Sequence, residues 1–366
     1  MKLKITRSKL LDGLKTVQNV VPNKGALQII QNVLLETREN QLFMTTTDLD
    51  ISVKCVVPCE TVEEGSTTLP VKLLASTIFK AAEGVIEIET DSKSRSSISA
   101  GSAFFRLQGM DTIDFPKLPA DTNNYEYTLP QPVLRDMLRK TSYATTQDDT
   151  RKTLRGVLMA FKDGKVTMVA TDGRRLALIE HEIECPKEAE KEVVLPPKVV
   201  SELLRTLSDS GDVRISAEAN RISFTLGDTK IWSKLMAEVY PNYKPVIPTD
   251  CIETVVVDRK LLLDAVERVN VMSILESSSV KFIFEANELT LCSNSNNFDN
   301  GEAKDIVPIK YAGERIEVNL NPNYVLDPLK AIDDDEVRIE LTSSNRAILM
   351  KCSIPFVYVM MALRVN

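Results

Sequence analysis

The chain has 366 residues, 43% of them apolar and 27% charged, with a net charge of −7, six cysteines and one histidine. That length suits two or three domains of about 100–200 residues, each with enough apolar content to bury a core. No run of 18 apolar residues occurs, which excludes a helical membrane span, and an acidic chain does not grip polyanions by bulk charge. The mixed, charged start from Met1 to Gly13 does not read as a secretion signal, so the expected location is cytoplasmic. The cysteines at 55, 59, 185, 251, 292 and 352 sit mostly in apolar runs and read as buried free thiols. Cys55 and Cys59 have no second cysteine pair nearby and His181 is distant, so no metal site is expected.

In chain order, Lys2-Leu3-Lys4-Ile5 alternates like a half-buried strand. Leu10, Leu14 and Val17 then predict a helix over 6–18. A hairpin follows, Val33-Leu34-Leu35 to Leu42-Phe43-Met44, turning at Glu39-Asn40. Another strand leads to Leu69-Pro70-Val71-Lys72 and a second helix over 71–82, and a further hairpin begins at Val85-Ile86-Glu87-Ile88. The same order then starts again. Tyr125-Glu126-Tyr127-Thr128 alternates, and Leu134, Leu138 and Thr141 predict a helix over 131–142. Val157-Leu158-Met159 and Val166-Thr167-Met168 flank Asp163-Gly164. Leu195-Pro196-Pro197-Lys198 opens a helix over 197–208, ahead of Val213-Arg214-Ile215. The third pass runs through Thr254-Val255-Val256-Val257, a helix over 259–270 carrying Leu262, Val266 and Val269, and the hairpin Phe282-Ile283-Phe284 to Leu289-Thr290-Leu291 around Ala286-Asn287. It closes with Leu320-Asn321-Pro322-Asn323, a helix over 323–332, and Val337-Arg338-Ile339. Ser8, Pro132 and Asp258 are suited to helix caps or first turns.

Corresponding positions recur at steps of 124 to 128 residues. A period of that size means three copies of one domain-sized unit, far too long for a solenoid. The expected domains are 1–124, 125–250 and 251–366, joined through the polar, proline-containing stretches 117–124 and 244–249. Each copy reads β-α-β-β-β-α and then further strands, an α+β arrangement with helices on one side of antiparallel sheet. The six helical windows hold 14 Lys and Arg against 6 Asp and Glu. Basic helices on an acidic body form a pattern that suits an enclosed anion, although from charge alone solvated helix faces read as well. The third copy's helices carry the smallest excess, so anion contact is expected to be weakest there.

On this repeat stand Thr47-Asp48-Leu49, Ala170-Thr171-Asp172-Gly173-Arg174-Arg175-Leu176-Ala177, Tyr240-Pro241-Asn242-Tyr243, Asn323-Tyr324-Val325-Leu326-Asp327 and Tyr358-Val359-Met360-Met361-Ala362-Leu363-Arg364. Taken in order over the whole length, they make the chain resemble the bacterial DNA sliding clamps, the beta subunits of the replicative DNA polymerase III. The resemblance implies the DNA-clamp fold, three repeated domains that close as a dimer into a ring lined by helices. Twelve helices at axis spacings of about 9 Å give a circle about 34 Å across, and removing one helix diameter of about 10 Å leaves about 24 Å clear. It further implies a homodimeric processivity factor, not an enzyme, with no cofactor. Such a ring holds DNA by topology, because tight phosphate contacts would slow sliding. The implied partners are double-stranded primer-template DNA, the polymerase III catalytic subunit, the clamp loader, and other DNA polymerases and repair proteins carrying short clamp-binding peptides.

Mapped position by position, the resemblance turns Lys24, Lys72, Lys152, Lys198 and Arg205 toward DNA. Lys24 stands where relatives often carry Arg, and Lys152-Thr153 where some carry two aromatics. It assigns a partner-peptide pocket to Leu154, Thr171, Gly173, Arg174, Arg175, Leu176, Pro241, Val246, Val359, Met361, Leu363 and Arg364, a Met- and Leu-rich lining that adapts to several ligands. Ala362 replaces a proline of relatives, Pro245 replaces a basic residue, and Val365-Asn366 extend the end. At the seam, Phe105 and Leu107 would face Val271 and Met272 of the second chain. The residues alone support less. Asp172-Gly173 is a turn signal, and Met360, Met361 and Leu363 suit ordinary strand core. One histidine and the lack of a glycine-rich phosphate loop argue against catalysis, and Asp333-Asp334-Asp335 reads as a solvated turn. A DNA-processing enzyme and a β-rich protein-binding scaffold are the alternatives.

Overall fold

The computed structural model describes residues 1–366 except 23–26, 120–124, 250, 274–278, 294–301, 343–346 and 364–366. Helices form where the apolar spacing demands them: α1 Arg7–Val17, α2 Val71–Lys80, α3 Gln131–Thr141, α4 Pro197–Thr206, α5 Arg259–Ser273 and α6 Pro322–Ala331. Each buries one stripe, such as Leu10, Leu14 and Val17 on α1 and Leu262, Val266 and Val269 on α5. Asp258 caps α5, its Oδ1 accepting from the Leu261 amide at 2.8 Å, and Asn321 caps α6 the same way through Asn323 at 3.0 Å. Ser8 and Pro132 are first-turn residues, and the cap position of α1 is Thr6, which makes no side-chain capping bond.

One tie recurs in every copy. A residue of the first helix reaches the end of the second, where carbonyls lack partners within the helix. Arg7 donates to the carbonyls of Ile78 (3.0 Å) and Phe79 (2.6 Å). Arg259 donates to those of Leu329 (3.1 Å) and Asp334 (2.7 Å). In the middle copy the first residue, Gln131, binds only the loop beyond α4, accepting from the Ser208 amide at 3.0 Å and donating to the Asp212 carbonyl at 3.3 Å, and the cation that reaches a carbonyl at the helix end is Arg135, to Leu207 at 3.5 Å. A cation beside the carbonyl end of a helix also meets its partial negative charge.

The chain forms two compact units, Met1–Arg135 with Lys198–Leu235, and Asp136–Pro197 with Met236–Asn366. All described strand pairings are antiparallel. In the first unit, one sheet runs Glu60–Glu63, Lys2–Thr6, Val85–Thr90, Arg95–Ala100, Ala103–Gln108. A second runs Tyr127–Pro130, Asp212–Ala217, Arg221–Leu226, Thr229–Lys234, Ile51–Pro58, Gln41–Thr47, Asn32–Arg38, Gly65–Pro70. Among the described residues, the second unit holds one twelve-stranded sheet in the order Lys191–Leu195, Val157–Lys162, Lys165–Thr171, Arg175–Glu182, Phe356–Met361, Ala347–Lys351, Glu336–Leu341, Glu253–Asp258, Lys304–Lys310, Glu288–Ser293, Val280–Glu285, Ile316–Leu320. Of the turns, Glu39-Asn40 (φ 51° and 58°) and Asp163-Gly164 (φ 53° and 72°) place both residues in the left-handed region, as tight hairpins require. At Ala286-Asn287 only Asn287 does so, with φ 63°.

These orders show that sheets cross from one copy of the repeat to the next. The last strand of the second copy, Thr229–Lys234, pairs with Ile51–Pro58 of the first. The last strand of the third, Phe356–Met361, pairs with Arg175–Glu182 of the second. Ala103–Gln108, the last strand of the first copy, is therefore left as a sheet edge. The third copy's counterpart of the receiving strand is Lys304–Lys310. Among the described residues, its 304–308 stretch pairs only with Glu288–Cys292 on one side, while Ile309 and Lys310 meet Val256 and Val257.

Cys55 is buried and the other five cysteines are partly buried, all of them free. The aspartate run lies in a solvated turn, with Asp333 and Asp335 exposed, Asp333 paired with Arg139, and Asp334 accepting from the Ser353 amide at 2.7 Å. The Arg259 tie gives a direct expectation. Replacing Arg259 with Met, which keeps the stem but loses two charge-assisted bonds, should lower stability in denaturant titration by about 1–3 kcal/mol. An unchanged midpoint would mean the tie carries no net stabilisation.

Candidate functional site

A cleft in the second unit is built on the loop between the strands Lys165–Thr171 and Arg175–Glu182. Thr171 and Asp172 fold the loop back on itself. Thr171 Oγ1 donates to the Arg175 carbonyl at 2.6 Å and accepts from the Gly173 amide at 3.1 Å. Asp172 Oδ1 accepts from the amides of Arg174 (2.8 Å) and Arg175 (3.0 Å). Gly173 takes φ 86°, a conformation only glycine adopts without strain, and a Cβ there would stand 3.1 Å from Arg151 Nη1. Beside the loop runs Phe356–Met361, in register Leu176 to Val359 and Arg175 to Met360, and the Met361 amide extends the ladder to the Arg174 carbonyl at 2.9 Å.

The cleft encloses about 160 Å³. Leu176 and Val359 form a buried floor continuous with Leu158, Val169, Val194 and Leu349. Leu154 and Tyr243 pack on that core, and Val246 and Met361 stand exposed at the rim. Of the twelve sequence-mapped residues, ten line this one space: Leu154, Thr171, Gly173, Arg174, Arg175, Leu176, Pro241, Val246, Val359 and Met361. Leu363 does not; its amide is bound to the Asn319 carbonyl at 2.8 Å. Arg364 lies outside the described residues. Asn242 and Tyr243 line the cleft as well, and the run Tyr240-Pro241-Asn242-Tyr243 was the signal for them. Pro245 sits in the short turn Lys244–Val246 that delivers Val246 to the rim.

Arg175 borders the cleft but is turned into the protein. Its guanidinium bonds Asp172 Oδ2 at 3.0 Å, Asp327, and the Tyr143 carbonyl at 2.6 Å, and lies 4.6 Å from the Tyr324 ring centroid. It fixes the wall and has little left to offer a ligand, whereas Arg174 is exposed.

The cations expected to face DNA are less bare than their count suggests. Lys72 on α2 and Lys152 in the turn Lys152–Arg155 are exposed. Lys198 on α4 is bound to Asp48 at 2.5 Å, and Arg205 to Glu202 at 2.5 Å. Lys24 lies outside the described residues. Arg205 borders a recess of about 590 Å³ with Lys15, Asn19 and Glu202. Glu202 is only 4% exposed, and burial raises its pKa against the pull of Arg205. A carboxylate raised in this way stabilises the fold fully below its unfolded value, and that contribution fades as pH climbs through the folded value.

The seam residues divide. Val271 and Met272, in the last turn of α5, are exposed, at 62% for Val271. On the edge strand Ala103–Gln108, Phe105 is partly buried and Leu107 is 7% exposed, so Leu107 belongs to its own unit's core. Phe104, on the opposite face, is 57% exposed, and Ile306 on the open stretch of Lys304–Lys310 is 49% exposed. Sequence reading missed both, because an exposed apolar residue on an edge strand looks locally like any other strand residue.

Comparison with known proteins agrees with this geometry. Three family models match in succession: the DNA polymerase III beta subunit N-terminal domain over 1–119, central domain over 128–242 and C-terminal domain over 244–363. The beta sliding clamp of Chlamydia pneumoniae is 32% identical over 366 residues, covering all of both chains. That of Pseudomonas aeruginosa is 31% identical over 353 residues, covering 96% of this chain and 95% of its own. Among solved structures, a Pseudomonas aeruginosa sliding clamp bound to griselimycin superposes with a TM-score of 0.95 at 30% identity, covering the whole of both chains. A C. crescentus beta sliding clamp with polyethylene glycol bound superposes with a TM-score of 0.92 at 29% identity, covering 100% of this chain and 99% of its own. The chain belongs to the DNA polymerase III beta subunit family, the beta sliding clamps. Members are non-catalytic processivity subunits of DNA replication, which sets aside the enzyme and scaffold alternatives.

Two outcomes follow from the site. Asp172→Ala removes two amide bonds and the Arg175 Nε partner, and should cost about 1–3 kcal/mol in thermal or denaturant unfolding; no loss would mean the loop is held by its neighbours. Glu202→Gln leaves Arg205 unneutralised. It should tighten binding of short duplex DNA and steepen the dependence of log affinity on log salt by about one. An unchanged slope would place Arg205 away from the phosphates.

Proposed function

We infer that two copies of this chain close into a ring around duplex DNA, slide along it and tether the replicative polymerase. The domains are 1–124, 125–250 and 251–366, and the protein works in the cytoplasm. The observation that carries the reading is the sheet accounting. Each later copy lends its last strand to the copy before it, and among the described residues that series leaves one lending strand, Ala103–Gln108, and one receiving stretch, 304–308, without a counterpart. An unpaired edge is a template for another strand. Two chains satisfy each other's edges head to tail, and a twofold arrangement closes without further partners. Phe105, Val271 and Met272 lie at that seam, with Phe104 and Ile306 added, while Leu107 supports the edge strand from the core side.

Lys24, Lys72, Lys152, Lys198 and Arg205 face the DNA. Ion pairing at Lys198 and Arg205 supports a loose grip, since a cation already held by a carboxylate releases fewer counterions from DNA. The cleft around Leu176, Val359 and Met361 takes short peptides from the polymerase III catalytic subunit, the clamp loader, and other polymerases and repair proteins. A small apolar floor with polar walls suits an anchored peptide end.

The test is topological. Protein loaded on nicked circular DNA should stay bound through a high-salt wash and leave when the circle is cut. Equal retention on circular and linear DNA would contradict encirclement. Ile306→Asp should shift sedimentation toward monomer and abolish retention on circles, whereas a dimer indifferent to this change would put the seam elsewhere.

A further inference from the structure

The loop that builds the cleft occurs twice in the chain. Thr47 Oγ1 donates to the Ile51 carbonyl and accepts from the Leu49 amide, both at 3.0 Å, as Thr171 does with Arg175 and Gly173. Asp48 Oδ1 accepts from the amides of Asp50 (3.0 Å) and Ile51 (2.9 Å), as Asp172 does with Arg174 and Arg175. The Lys234 amide donates to the Asp50 carbonyl at 2.8 Å, as that of Met361 does to Arg174. Phe115-Pro116 stands where Tyr240-Pro241 stands, with Phe115 and Tyr240 both buried. The repetition produces a second cavity, of about 290 Å³, lined within the first unit by Leu49, Lys117, Arg221, Trp232 and Lys234 among others.

The scaffold is the same and the chemistry is not. Gly173, Val359 and Met361 of the first cleft become Leu49, Trp232 and Lys234. Leu49 holds φ 78°, where a bulky side chain is an outlier, and it is 45% exposed. Glycine would relax that backbone, so the sequence keeps an apolar side chain at the lip against a local cost, a pattern found at ligand-binding positions. Three cations, Lys117, Arg221 and Lys234, stand against one carboxylate, Asp50, in the lining. Lys234 is paired with Asp50 at 3.0 Å and Arg221 with Glu218 at 2.7 Å. Lys117 is exposed and has no ion pair with another described residue.

We propose that this cavity is a second peptide-docking site, taking a short acidic segment of a partner protein. An apolar side chain of that segment packs on Trp232 and Leu49, and its carboxylates meet Lys117 and Arg221. The volume admits one or two side chains, which favours a peptide over a run of phosphates. The proposal rests on the peptide reading of the first cleft and extends it to an acidic ligand class.

Trp232 is the only tryptophan in the chain and lines this cavity, so its emission serves as the readout. The probe is an acetylated five-residue peptide with Leu-Phe flanked by Asp and Glu, titrated into the full-length protein. Its emission should change saturably. Lys117→Glu, an exposed loop change that leaves the fold alone, should raise the half-saturating concentration about fivefold or more, and Met361→Ala should leave it unchanged. Absence of any Trp232 response would overturn the proposal. So would loss of the response in Met361→Ala, which would send the peptide to the first cleft, or an equal response to short duplex DNA, which would make this a nucleic-acid surface. The first cleft is read separately with a polymerase C-terminal peptide. If Met361→Ala binds that peptide like the wild type, the first-cleft reading fails, whatever Trp232 reports.

Discussion

The strand that each repeat lends to the one before it is the constraint on which the rest depends. An antiparallel edge exposes a row of amides and carbonyls that must be paired, covered or left to water. In this chain the pairing crosses the repeat boundary twice, at Thr229–Lys234 with Ile51–Pro58 and at Phe356–Met361 with Arg175–Glu182. Two structural features follow from those junctions. Each makes a loop-and-strand corner with a cavity beside it, and at the ends of the series one lending strand and one receiving stretch are left without a counterpart among the described residues.

Within each repeat a smaller device keeps the helix pair fixed. Arg7 and Arg259 reach the carbonyl end of the partner helix from the first residue of theirs, and in the middle copy Arg135 does so from one turn further along. This leaves the other basic residues of the helices free for another role. Several are then muted by carboxylates, as Lys198 is by Asp48 and Arg205 by Glu202. For a protein that must stay on DNA without gripping it, a weakened field is the useful one. The electrostatic part of DNA affinity grows with each phosphate neutralised, and sliding requires that total to stay small.

Much of this was legible in the sequence. Apolar spacing located the six helices of the described residues within a few positions, because a buried stripe such as Leu10, Leu14 and Val17 imposes its own period. Asn40 and Gly164 marked their hairpins through the left-handed conformations they tolerate. The cleft was mapped through residues that later proved to line one space, with Leu363 held outside it by its bond to Asn319. What sequence could not give is whatever depends on distant partners. Strand exchange between repeats has no local signature, and neither does the Lys198–Asp48 pair, which spans 150 residues. Leu107 and Phe104 are neighbours on one strand, and only the sheet's face tells which is core and which is exposed.

The two corners also show how a repeat diversifies. The Thr-Asp loop is retained at both junctions, so the backbone of the cavity is inherited, while Gly173 and Met361 on one side correspond to Leu49 and Lys234 on the other. Neither corner depends on a second chain, whereas the ring reading requires that Ala103–Gln108 and the 304–308 stretch be paired by one. Hydrogen exchange measured peptide by peptide at rising protein concentration tests this most directly. The account predicts that amides in 103–108 and 304–308 become protected together, at the concentration where the dimer forms. Exchange at both segments that stays at the rate of open strand edges in the assembled protein would contradict it.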